Sequence, residues 1–274
     1  MRMNRIKFVC LALICLFWGA LMSANYTNAQ NKNTGEYSIK MTGISTQMVK
    51  YISGKDTVSA YLTEPQGNGP FPGLIVIHEW WGLNNRVKKD AEDFAHNGYV
   101  ALAIDLYHGK STVSPDEARK LSGSIQQEQA SLDLKSAFDY LKNMQNVDKN
   151  KIGSIGWCMG GGYSLKAAIE IPELSACVVN YGRLVTDTET LKKINCPLLG
   201  IFGENDQNIN PTVVGTFKDA LGKAGIKNKI ITYPGVGHAF MNPDNPKLYN
   251  KQTTAEAKTE ISTFLDTYLK QDNK

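Results

Sequence analysis

From Thr46 to Ile52 and again from Thr57 to Thr63, apolar and polar residues alternate, and Ser53-Gly54-Lys55-Asp56 between them is turn chemistry. That pattern predicts a β-hairpin. A turn-rich bridge from Pro65 to Pro72 leads into Gly73-Leu74-Ile75-Val76-Ile77, a continuous apolar run of the kind buried on both faces of a sheet. Strand and helix patterns then alternate. Helices are predicted over Arg86–Asn97, a long amphipathic region Pro115–Met144, Gly160–Glu170, Pro211–Ala224 and Thr254–Leu269. Strands are predicted over Tyr99–Ile104, Ile152–Ile155, Ala176–Tyr181, Leu198–Phe202 and Lys229–Tyr233. A hairpin followed by this alternation implies an α/β fold, a mostly parallel central sheet with helices on both faces. Neither a repeat nor a linker divides residues 46–274, so one domain is expected there.

The first 29 residues read differently. Arg2, Arg5 and Lys7 precede an uncharged run from Phe8 to Met22, and small or polar residues follow to Ala29. This is the three-part pattern of a secretory signal peptide, with an apolar run short for a spanning helix. Cleavage is expected after Ala29, with Ala24 as the alternative site and an uncleaved anchor as the competing reading. Residues 30–45 are polar and aperiodic, a flexible lead-in. The body is thus expected outside the cytoplasm, periplasmic or secreted, with no stable membrane insertion once the leader is removed.

Composition narrows the function classes. The chain has 274 residues, 42% hydrophobic and 20% charged, which excludes disordered, collagen-like and many-pass membrane proteins. Removing Arg2, Arg5 and Lys7 from the 30 bases leaves 27 against 26 acids, so the body carries about +1. Such a body has no electrostatic footprint for nucleic acid. Three cysteines remain after the leader, an odd number for an exported protein. Cys177 and Cys196 read as buried strand thiols, and a disulfide between them is conceivable if their strands are neighbours.

Cys158 is set apart by its glycines. Gly156-Trp157-Cys158-Met159-Gly160, followed by Gly161 and Gly162, stands between a predicted strand and helix. Glycines on both sides permit a sharp turn that holds a nucleophile exposed at a helix N-terminus. There the helix dipole favours a thiolate, and the Met159 N–H is placed for an oxyanion. The competing reading is a glycine-rich turn carrying a small buried residue. A thiol needs a base, and His238 follows the last strand within Gly235-Val236-Gly237-His238, while Asp206 follows the preceding strand. The separations are 48 residues from Cys158 to Asp206 and 32 from Asp206 to His238. That nucleophile–acid–histidine order is the order of the α/β-hydrolase fold. Glu204 competes with Asp206 but stands earlier in its loop. His78, closing a strand, is assigned a packing or hydrogen-bonding role; His96 and His108 are placed on a helix surface and in a loop. No spacing suits a metal, and no phosphate loop or other cofactor motif occurs. After the buried strand, His78-Glu79-Trp80-Trp81-Gly82 offers the Trp80 N–H as second oxyanion donor, and its tryptophans suit an apolar pocket. One of the two is expected to pack into the core.

Taken together, His78-Glu79-Trp80-Trp81-Gly82, Asp105-Leu106-Tyr107, Gly156-Trp157-Cys158-Met159-Gly160-Gly161, Asp206 and Gly237-His238-Ala239-Phe240 resemble the dienelactone hydrolase family of α/β-hydrolases, from about Thr46 to Leu269. The resemblance implies that Cys158 attacks an ester or lactone carbonyl and forms a thioester that water hydrolyses. In that scheme His238, oriented by Asp206, shuttles the proton, and Glu79 holds the resting thiol and helps ionise it. Met159 and Trp80 would bind the oxyanion, and Trp81, Tyr107 and Phe240 would line the pocket. The family members acting on dienelactone clamp a substrate carboxylate with arginines after the Asp-Leu-Tyr segment and four residues past the histidine. Here those places hold His108, Gly109 and Lys110, and Asn242, while Ala239 stands where a serine is expected. Lys110 is a poor copy of a bidentate guanidinium, so the chemistry is expected to persist with altered specificity. The expected partner is a small-molecule ester or lactone, and a monomer is favoured. Two rival readings remain open: a catalytically idle α/β-hydrolase domain that binds a small molecule or partner, and a redox thiol. The absence of a Cys-x-x-Cys pair opposes the latter.

Overall fold

The computed structural model describes residues 43–271; the expected signal peptide and most of the lead-in lie outside them. Eight strands form one sheet in the order β1-β2-β4-β3-β5-β6-β7-β8. The predicted hairpin is β1 (Ile44–Ser53) and β2 (Asp56–Pro65), turning through Gly54 at φ 61°. β2 also pairs antiparallel with β4 (Val100–Ile104), and every later pairing is parallel. The parallel strands are β3 (Phe71–Ile77), β4, β5 (Val147–Trp157), β6 (Ala176–Asn180), β7 (Leu198–Gly203) and β8 (Asn228–Tyr233).

Burial on both faces explains the continuous apolar runs. Ile75 and Ile77 of β3, Leu102 and Ile104 of β4 and Cys177 and Val179 of β6 enter one core. That core also receives α3 (Gln127–Lys142), α4 (Met159–Glu170) and α6 (Pro211–Lys223). The alternate residues Leu74, Val76, Ala101, Ala103 and Val178 enter a second core, with α1 (Asn85–His96) and α7 (Lys251–Leu265). Period-2 alternation thus feeds two helical layers rather than a core and solvent.

Three boundaries differ from the sequence expectation. The region Pro115–Met144 is two helices, α2 (Pro115–Ser124) and α3, because Ile125 and Gln126 are extended. Ser122-Gly123-Ser124 are poor helix formers, and both serine hydroxyls donate back to carbonyls three residues earlier, which ends the first helix. A short helix α5 (Thr188–Leu191), capped by Asp187, had no periodic signal to reveal it. α7 starts at Lys251 because Asn250 accepts from the Thr253 N–H, and it ends in a π-helical turn over Asp266–Lys270. Cys177 and Cys196 lie near each other at the β6–β7 junction, yet both are free thiols. Burial raises the Cys177 thiol to about 11, against the relief of its Ser164 hydrogen bond, as befits an inert packing residue.

Candidate active site

β5 ends at Trp157 and α4 begins at Met159, so Cys158 alone makes the turn, at φ 53° and ψ −118°. A side-chain-bearing residue held there is strained by about 1–3 kcal/mol. The strain is held in place by close packing. A Cβ on Gly156 would stand 2.1 Å from the Gly160 carbonyl oxygen, and one on Gly160 would stand 2.3 Å from that of Ile77. The Cys158 N–H donates to the Asn180 carbonyl at 3.0 Å, which ties the turn to the end of β6. The thiol is left half-buried at the head of α4.

The loops after β7 and β8 bring the other two residues to it. His238 Nε2 lies 3.1 Å from Cys158 Sγ, and His238 Nδ1 lies 2.7 Å from Asp206 Oδ2. Asp206 is buried, and its second oxygen accepts from the N–H groups of Asn208 and Ile209 at 2.8 and 2.9 Å. Glu204 is exposed, beyond the site. Burial opposes the charge of His238, but the hydrogen bonds to Asp206 and Cys158 win and push it up to about 10. Burial also works against the Asp206 carboxylate, yet the bonds from His238 and the loop hold it below its ordinary value. The Asp206 carboxylate thus favours the charged form of His238.

Met159 N–H is the first helical donor and Trp80 N–H lies in the loop after β3; neither has a backbone acceptor among the described residues. Tyr107 joins the two segments, since its hydroxyl donates to the Trp80 carbonyl at 2.9 Å and lies 3.4 Å from Met159 Sδ. Tyr107 is thus chiefly a clamp, nearly buried, whose ring edge also borders a cavity of about 290 Å³ with His108 and Lys110. Trp80 and Trp81 meet edge to face at 4.9 Å and both stay half-buried, so neither enters the core as expected. Phe240 corrects the pocket assignment. It is fully buried and packs its ring on Tyr181 and Tyr233, beneath His238 rather than beside a substrate. A larger cavity of about 630 Å³ opens beside Met159, lined by Tyr163, Lys166, Ile169, Arg183, Leu184 and others. Arg183 was not singled out from sequence, because nothing local distinguishes it from a solvated surface residue.

Glu79 makes its contacts with Asn242 and Arg86 rather than with the sulfur. Its Oε2 accepts from Asn242 Nδ2 at 2.6 Å, and its Oε1 lies 3.9 Å from Arg86 Nη2, while the Cys158 sulfur is engaged with His238. Asn242, at one of the positions lacking an arginine, is therefore committed to Glu79. Arg86 was missed from sequence, although an Arg–Asp pair four apart at the start of the helix after Glu79 was a usable signal. His78 is buried and neutral in geometry: Nδ1 meets the Glu79 carbonyl and Nε2 accepts from the Leu106 N–H. His108 is tied to Asp133 at 2.8 Å. Among the described residues no group of side chains has the geometry to hold a metal ion.

The dienelactone hydrolase family profile matches residues 58–269. Protein usf of Aquifex pyrophilus is 32% identical over 230 residues, spanning 81% of this chain and 99% of the relative. A Saccharolobus solfataricus protein provisionally named carboxymethylenebutenolidase is 31% identical over 252 residues, spanning 78% of this chain and 96% of its own. Among solved structures, a dienelactone hydrolase-like promiscuous phosphotriesterase from metagenomic libraries superposes with a TM-score of 0.75 at 21% identity, covering 82% of this chain and 98% of that one. At that identity the superposition shows the shared α/β-hydrolase fold. By its sequence relatives and the profile that spans most of its length, the chain belongs to the dienelactone hydrolase family.

Proposed function

We propose that this protein hydrolyses carboxylic esters or lactones with Cys158 as nucleophile, His238 as proton shuttle and Asp206 as its orienting acid. The observation that carries the reading is the unbroken chain Cys158 Sγ–His238–Asp206, at 3.1 and 2.7 Å, on a strained strand-to-helix turn. In acylation the sulfur attacks the carbonyl carbon, and the oxyanion is received by the N–H groups of Met159 and Trp80. Collapse of that adduct expels the alcohol, which takes a proton from His238, and leaves a thioester on Cys158. His238 then removes a proton from water as it attacks the thioester; the acid leaves and the thiol is restored.

The 630 Å³ cavity beside Met159 is large enough for the acyl or alcohol part of a small substrate, and its lining mixes apolar Tyr163, Ile169, Leu184 and Val185 with charged Lys166, Glu170 and Arg183. The places that hold a substrate carboxylate in dienelactone-cleaving relatives are filled otherwise here, Asn242 by its bond to Glu79 and His108 by its bond to Asp133. The substrate preference is accordingly shifted away from anionic lactones. The secretory pattern of residues 1–29 supports an exported compartment for it.

The direct test is hydrolysis of p-nitrophenyl acetate by the leaderless protein, with and without prior iodoacetamide. Turnover that alkylation abolishes, and that Cys158→Ala lacks, supports the reading. Full turnover by Cys158→Ala overturns it.

A further inference from the structure

Next to the triad, two carboxylates share one guanidinium. Arg86 projects from the first turn of α1 into a site where its side chain is largely buried, lying 6.0 Å over the ring of Trp157. Its Nη1 donates to Asp90 at 3.2 Å, a hydrogen bond, whereas its Nη2 is 3.9 Å from Glu79, beyond hydrogen-bonding reach. Three polar atoms around this cluster are buried without a hydrogen-bond partner: Glu79 Oε1, Arg86 Nε and the Tyr181 hydroxyl. Buried polar atoms are nearly always paired, and these three belong to residues that converge on one spot. The ring of Tyr181 lies 5.3 Å from that of His238, so the spot adjoins the triad.

The charge around Glu79 is therefore unbalanced. Arg86 and Asp90 face it from α1, Tyr181 from the end of β6, and His238 and Asn242 from the loop after β8; Asp93, Asp244 and Lys258 act on Asp90 and Arg86 from farther out. A buried carboxylate needs a paired cation to stay ionised. The cation nearest to Glu79 is bonded to Asp90 instead, and Asn242 satisfies only one Glu79 oxygen.

We infer that Arg86 and Asp90 are positioning residues that set the charge of Glu79 next to the triad, Arg86 favouring the carboxylate and Asp90 withholding Arg86 from it. This inference rests on the hydrolase reading for its consequence in turnover, since Glu79 faces His238 and its charge bears on how firmly that histidine holds its proton. The two neighbours act with opposite sign, which no purely structural role reproduces.

The experiment is a ¹³C-NMR titration of the Glu79 carboxyl, assigned by its loss in Glu79→Gln, together with the pH dependence of kcat/KM on p-nitrophenyl acetate. Asp90→Asn releases Arg86 to close on Glu79 and is expected to lower the midpoint by about one pH unit. Arg86→Gln is expected to raise it by about one unit or more, and Arg86→Lys to restore most of the difference. The limb of the kcat/KM profile that Glu79→Gln removes should move in the same order. Midpoints that shift in the same direction in Asp90→Asn and Arg86→Gln, or in neither, overturn the inference, as does a kcat/KM profile that Glu79→Gln leaves unchanged. Should Arg86→Gln not fold, Asp90→Asn decides alone: a lowered midpoint supports the inference and an unmoved or raised one overturns it. The carboxyl titration needs no turnover, so its failure is distinct from a finding that Cys158→Ala remains active.

Discussion

The Tyr107 hydroxyl donates to the Trp80 carbonyl at 2.9 Å, and with the Leu106 N–H bond to His78 it ties the loop after β3 to the loop after β4. The donors proposed for the oxyanion come from two elements, Met159 at the head of α4 and Trp80 in the β3 loop, and Tyr107 touches both residues. Tyr107→Phe removes the bond and keeps the ring against His78 at 4.9 Å. A net hydrogen bond of about 1 kcal/mol corresponds to roughly a fivefold loss. The expected result is a fall of that size in kcat with little change in KM, because the bond supports the transition state more than the ground state. An unchanged kcat with a raised KM would show that Tyr107 serves binding alone.

Asp206→Asn is the sharper probe of the triad. Asp206 is almost wholly buried and bonded to His238 Nδ1, so asparagine keeps the shape while removing the charge and presenting the wrong partner to the imidazole. In a triad of this geometry the loss in kcat is on the order of 10⁴-fold. The loss should appear in kcat for p-nitrophenyl acetate with the fold intact by circular dichroism. A loss below about tenfold would mean that the histidine is oriented by something else.

How far the site was legible from sequence follows from what local pattern records. Cys158, Asp206 and His238 each follow an apolar strand directly, and a parallel sheet delivers all such loops to one edge, so their convergence needed only strand positions and chain order. Gly156 and Gly160 were legible for the same reason, as marks of a turn with no room. Phe240 was misread because adjacency to His238 says nothing of direction: the strained backbone at Ala239, with φ 57°, turns the next side chain into the core. Arg86 and Asn242 act through tertiary contacts between elements distant in sequence, as in the Asn242–Glu79 bond across 163 positions. The split of α2 from α3 was legible in Ser122-Gly123-Ser124, but an amphipathic pattern on both sides masked it.

The stability of the folded protein should carry the signature of the His238–Asp206 pair. His238 is pushed up to about 10 in the folded state, against 6.5 in an open chain. The folded protein therefore holds that proton more tightly, and the resulting stabilisation is whole below pH 6.5 and fades as pH rises toward about 10. Asp206 is shifted the other way, so its contribution is whole above its ordinary 3.8 and is lost as pH falls through the lower folded value. Urea midpoints measured from pH 6 to 10 should fall in the wild type and fall less in His238→Gln. Parallel curves for the two proteins would show that the pair does not couple to folding.

The last prediction concerns the turn that creates the nucleophile. Gly160 lies in the first turn of α4, where a Cβ would stand 2.3 Å from the Ile77 carbonyl oxygen and 2.5 Å from that of His78. Both contacts are backbone, at the end of the central strand β3, so no side chain can swing aside to relieve them. Gly160→Ala must therefore push α4 away from β3 or distort the strand, at a cost of about 3 kcal/mol or more. Gly215, on the outer face of α6, is the control, since a Cβ there meets nothing within 4 Å and alanine adds helix propensity of about 1 kcal/mol. Thermal unfolding should show Gly160→Ala lowered by many degrees and Gly215→Ala unchanged or raised. The distortion also carries Met159 with it, so residual folded Gly160→Ala should react slowly with iodoacetamide at Cys158 and turn over p-nitrophenyl acetate poorly. A Gly160→Ala protein with unaltered melting temperature and turnover would mean that α4 sits farther from β3 than these distances require.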